Sequence, residues 1–159
     1  MKPNIEVRGG TKLARALHRK LMAFSSVSRV SVGLPTGSGD HDGIPLVVIG
    51  AVQEFGSADG HIPERSFLRV PIRQNQDNLR KAFATLAKKV ASGELSSFQM
   101  LSQIGARAVG YCQEAISEGI APANAPSTVE RKGSSTPLID TGALRQAITY
   151  VVDNGKEGS

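Results

Sequence analysis

Tryptophan is absent from this chain, and cysteine occurs once, at position 112. A lone Cys112 excludes an intramolecular disulfide and a cysteine-built zinc site, and it suits a reducing compartment. Five Phe and two Tyr are the only other large aromatics, so the core must be built from Leu, Ile, Val and Ala. The start, "MKPNIEVRGG", lacks the apolar core of a signal peptide, and no apolar run approaches the length of a membrane span. These absences lead us to expect a soluble protein made in a cytoplasm. No basic run exceeds three residues and no aromatics are interleaved with one, so the sequence carries no strong signal of a base-stacking nucleic-acid surface.

What is present is ordinary for a globular domain: 159 residues, 40% hydrophobic and 21% charged. Seventeen Gly and eight Pro collect in particular segments and announce long ordered loops. The net charge of +5 suits an acidic partner, either nucleic acid or a negatively charged protein surface.

Residues 4–8, "NIEVR", alternate like a short half-buried strand. Thr11 can cap a helix reaching about Phe24, with Leu13, Leu17, Leu21 and Phe24 on one face and Lys12, Arg15, Arg19 and Lys20 on the rest. "SRVSVGLP" alternates again. The apolar run 46–55 after the Gly/Pro-rich turn 35–45 reads as a central strand, paired with 28–34 in a long-tipped hairpin. Helical spacing then predicts one helix over 72–91 and another over 96–118, with Ser96 or Ser97 as N-cap. The small residues Gly105, Ala106, Ala108 and Gly110 leave room for another backbone to approach that second helix. An extended, Pro/Gly-rich loop covers 119–141, residues 142–147 can form one or two helical turns, and 147–153 alternates as a last strand. The expected fold is α+β: one domain over 1–153, a small, mainly antiparallel sheet packed against two long helices, and a loose tail at 154–159.

Candidate chemistry is sparse. Asp140-Thr141-Gly142 after two apolar residues matches the active-site turn of a retroviral-type aspartic protease. That chemistry needs two carboxylates sharing one proton, hence a homodimer, plus chain to build a flap. Only 17 residues follow Gly142, room for one helix and one strand. A turn that caps the next helix is the simpler reading. Of His18, His41 and His61, only His41 within Asp40-His41-Asp42 has potential ligands beside it, and a solvated hairpin tip explains that loop equally well. Cys112 falls on a buried helical stripe without a nearby His. No nucleophile, base and orienting group converge, so the expectation is a non-enzyme without metal or cofactor. The cations Arg73, Arg80, Lys81, Lys88 and Lys89 ride the first long helix, mostly as a solvated face. Arg65 and Arg69, beside Pro63 and Phe67, are instead placed to tie a loop to a carboxylate, with Glu54 or Asp140 as partner and Phe55 and Phe67 buried.

Three segments in order carry a resemblance. A strand-ending Glu54-Phe55-Gly56 turn precedes Ile62-Pro63-x-Arg65-x-Phe67-Leu68-Arg69, with Ser66 where a second proline is usual. The helix pair follows, then Pro137-Leu138-x-Asp140-Thr141-Gly142-x-Leu144. Over roughly residues 28–152 this pattern resembles the neck or tail-completion proteins of long-tailed bacteriophages, often labelled virion morphogenesis proteins or minor tail components. The resemblance implies a structural virion protein, assembled in the host cytoplasm and sited at the neck. It further implies a homo-oligomeric ring, sixfold to match the tail, that joins the tail terminator to the head-closure or connector proteins around the DNA channel. The 120–141 segment is then the candidate for contact between subunits. The rival readings are a sequence-independent nucleic-acid binder acting alone and, behind it, the homodimeric protease using Asp140.

Overall fold

Ser96 opens the longest helix of the molecule by a reciprocal cap. Its hydroxyl accepts from the Gln99 amide at 3.1 Å, and the Ser96 amide donates to Gln99 Oε1 at 2.9 Å. The computed structural model describes residues 11–22, 24, 29–121 and 142–153. Within them run α1 (Thr11–Met22), β1 (Arg29–Gly33), β2 (Asp40–His41), β3 (Ile44–Pro45), α2 (Leu46–Phe55), α3 (Arg69–Gln74), α4 (Gln76–Ser92), α5 (Ser97–Glu118), α6 (Ala143–Ala147) and β4 (Thr149–Asp153).

Helix α5 is the spine. Met100, Leu101 and Ile104, at helical spacing, bury against Leu86 and Val90 of α4, which ends at Gly93 in the left-handed conformation. About two turns further along α5, Cys112 and Ile116 join Phe67, Leu144 and Ile148 in a second cluster. Between the two clusters lies Gly105. A Cβ there would sit 2.6 Å from the Tyr150 ring and 2.8 Å from Val30 Cγ2. The close approach that the small residues allow is therefore to a sheet, and Gly105 is what permits it.

That sheet is a ribbon of β1 and β4, antiparallel, with Val30 opposite Val152 and Val32 opposite Tyr150. Val30 and Val152 pack on the α4–α5 cluster. The fold is α+β, a small antiparallel sheet set against two long helices.

Several expectations need correction. Residues 46–55 are a helix, not the central strand, and β1 pairs with β4 rather than with that run. An apolar run of this length fits either structure, but its buried positions, Leu46, Gly50 and Glu54, recur every fourth residue. The predicted helix 72–91 is two helices. It begins at Arg69 and breaks at Asn75, whose amide and side chain both donate to the Pro71 carbonyl. Pro71 is tolerated because the first turn of a helix needs no amide donor there. The Gly/Pro-rich stretch contains a small hairpin of its own, β2–β3, turning on Asp42 and Gly43, both at positive φ. Thr11 begins α1 as a helical residue. The predicted strand 4–8, the greater part of the extended loop 119–141 and the tail 154–159 lie outside the described residues.

Candidate interaction site around the Glu54–Arg69 brace

Helical spacing puts Glu54 on the inner face of α2, below Leu46 and Gly50, and leaves it 3% exposed. A buried carboxylate requires donors on its oxygens. The chain supplies them by doubling back. Gly56, at positive φ, turns the backbone so tightly that a Cβ would lie 3.0 Å from the Ile62 carbonyl oxygen. The Ser57 amide donates to that carbonyl, and the Ile62 amide donates to Ser57 Oγ. The Arg65 amide then donates to the Gln53 carbonyl at 2.7 Å, which lays the returning strand of chain against the end of α2.

Four donors converge on Glu54 as a result. Ser66 Oγ donates at 2.7 Å, the Leu68 amide at 3.0 Å, the Arg69 amide at 3.1 Å and Arg69 Nε at 2.8 Å. Burial alone pushes the Glu54 carboxyl up; the donors from Arg69, Leu68 and Ser66 outweigh it and hold the carboxyl below its ordinary value. The hydrogen bond to Glu54 in turn raises Arg69. Arg69 Nη2 reaches the Glu54 carbonyl at 3.1 Å and Glu64 Oε1 at 2.8 Å, and its guanidinium lies 4.6 Å over the Phe55 ring.

The sequence motifs meet here only in part. Glu54 and Arg69 are joined in one network across the turn at Gly56, and Phe67 is fully buried. Phe55 is not buried as expected: it is 64% exposed, because one residue past Glu54 on a helix points about 100° away from the core. Arg65 is buried and reaches Gln53 Oε1 at 3.4 Å, while Pro63 stays on the surface. Leu144 packs in the cluster with Phe67, so the described end of the second motif touches the first. Gly142 precedes α6 at positive φ. Pro137, Leu138, Asp140 and Thr141 lie outside the described residues. Sequence reasoning missed Ser66. Its hydroxyl donates to Glu54 and accepts from the Val70 amide, bridging the brace to the first turn of α3.

Beside the brace opens an apolar groove of about 750 Å³, with Val32, Leu34, Val47, Ala51, Phe55 and Ile72 in its walls and Arg69 and Arg73 among its cations. Val47, Val48 and Phe55 stand out of α2 into solvent, so this strongly apolar helix buries one face and leaves the other uncovered. Elsewhere the chemistry is thin. Among the described residues no three His, Cys, Asp or Glu side chains gather in a metal-binding group. His41 Nε2 lies 3.6 Å from Asp42 Oδ2 at the tip of the β2–β3 hairpin. Cys112 is fully buried, and that burial pushes its thiol up to about 11. Among the described residues no helix is long and apolar enough to cross a membrane. No family model, curated protein or solved structure matches the chain.

Proposed function

We propose that this chain is a structural virion protein of a tailed bacteriophage. It completes the tail and mediates head–tail joining at the neck, as a ring of copies around the DNA channel. It works by binding and not by catalysis. The observation that carries the reading is the uncovered apolar face of α2 with its groove, set on a rigid, hydrogen-bonded brace. Uncovered apolar surface beside a fixed frame is what a subunit offers to neighbours. The same brace is built from the Glu54-Phe55-Gly56 and Ile62–Arg69 segments on which the resemblance rests. The 120–141 segment keeps its role as candidate contact between subunits.

Electron microscopy of particles made with and without this gene product tests the proposal. The expected result is density at the neck in the complete particles, and unjoined heads and tails without the protein. Joined, infectious particles lacking the protein would overturn it.

A second reading, a sequence-independent nucleic-acid binder acting alone, draws on Lys81, Lys88 and Lys89 of α4, which have no ion-pair partner among the described residues. It predicts tight, salt-sensitive DNA binding by the isolated monomer together with no protein at the neck of particles. The protease reading predicts that Asp140→Asn abolishes peptide cleavage without unfolding the chain.

A further inference from the structure

We infer that the groove between α4 and α5 on the face away from the ribbon is a binding track for the phosphate backbone of duplex DNA. Lys81, Thr85 and Lys89 repeat every fourth residue along α4, and Gln103, Arg107 and Tyr111 do the same along α5. The two ladders line one open groove of about 480 Å³. Its charged lining residues are all cations: Lys81, Lys89 and Arg107, with no carboxylate among them.

What sets this face apart is that three cations line one concave surface together with no carboxylate in its lining. Arg29 is tied to Asp153, Arg69 to Glu54 and Glu64, and Arg80 to Asp77. Lys81, Lys89 and Arg107 have no such partner among the described residues. Three cations that share a groove without a counter-charge raise the local positive potential and attract an extended anion. Lys81 and Lys89 stand about 12 Å apart along the helix, the axial length of three to four nucleotide steps in a duplex. Gln103 and Tyr111 add neutral donors of the kind that position a phosphate without reading a base.

Protein partners fit the groove poorly. The one large aliphatic side chain in its lining, Leu86, is 6% exposed, so an apolar anchor finds no purchase. The choice of duplex rests on the neck reading, in which DNA passes through the ring.

The test is fluorescence anisotropy of the full chain with a labelled, mixed-sequence DNA duplex between about 50 and 200 mM salt. The triple variant Lys81→Gln, Lys89→Gln, Arg107→Gln is expected to bind at least about tenfold more weakly at the low-salt end and to flatten the log–log salt slope by roughly 2.7, near 0.9 for each phosphate contact removed. A control triple, Lys12→Gln, Arg15→Gln, Arg29→Gln, removes the same charge away from both grooves and is expected to stay near the parent. Lys81→Arg with Lys89→Arg should retain binding. Equal weakening by both triples, equal competition by polyglutamate, or no binding at low salt would each overturn the groove. Particle microscopy separates this from the parent reading. Protein at the neck without duplex binding sinks the groove alone, and groove-dependent binding by a protein absent from particles sinks the neck alone.

Discussion

The Arg69 guanidinium meets the Glu54 carboxylate at 2.8 Å across 15 residues of sequence, with the carboxylate 3% exposed and the guanidinium half in water. The pair is asymmetric: Glu54 depends on its donors, while Arg69 retains solvent and Glu64. Glu54→Ala should therefore destabilise the fold by about 3 kcal/mol, because it orphans the Ser66 hydroxyl and the Leu68 and Arg69 amides. Arg69→Ala should destabilise it less. Urea denaturation of both variants measures the difference.

The same carboxylate gives stability a pH dependence of known sign. Its folded pKa lies below its ordinary value of 4.5, so the unfolded chain binds more protons in this range. The contribution is fully present above pH 4.5 and is lost as pH falls through the lower folded value. The stability gap between wild type and Glu54→Gln should shrink steadily below pH 4.5. A gap that stays constant on acidification would contradict the brace.

Two glycines of α5 should respond oppositely to alanine. Gly110 has open space where a Cβ would go, so Gly110→Ala gains helix propensity and stabilises by up to about 1 kcal/mol. Gly105→Ala places its methyl against the Tyr150 ring and Val30, and the overpacking, about 1–3 kcal/mol, outweighs the same gain. Thermal melts of the two variants should shift in opposite directions.

Truncating buried and exposed apolar residues near the brace should separate folding from assembly. Phe67→Ala removes a fully buried ring and should cost about 3–5 kcal/mol. Val47→Asp, on the 38% exposed side of the first turn of α2, should leave stability within about 0.5 kcal/mol. On the proposed function, Val47→Asp still blocks joining of heads to tails, scored by complementation with the variant gene.

Cys112 offers a check on core integrity. Its buried thiol, pushed up to about 11, should resist alkylation at pH 8 in the folded protein and react at once in denaturant. Rapid labelling without denaturant would show that the Phe67 cluster opens.

Much of this fold was legible because its signals are local. Ser96 and Gln99 mark the start of α5 three residues apart, and Gly93 and Gly119 end the two long helices by conformations that glycine favours. Residues 46–55 were misread because an apolar run declares burial before it declares period. Its true period shows only in which of its residues touch Leu34, Phe67 and Leu144. Glu54 and Arg69 could be proposed as partners from charge and loop position. Ser66 could not, since a hydroxyl reveals its role only through what stands next to it. The β1–β4 pairing was hidden by distance: Arg29 and Asp153 are 124 residues apart, and alternation in each strand says nothing of which other strand it meets.

That pairing also sets the order of events during synthesis. Helices α4 and α5 can form and meet as they leave the ribosome, since a four-residue link joins them. The face of α5 around Gly105 stays open until Tyr150 has emerged, and β1 has no partner in the ribbon before then. Contacts of such long sequence separation close late and slow the final step. A nascent chain therefore carries an unpaired β1 edge across the synthesis of both long helices, and the ribbon closes over α5 only when β4 arrives.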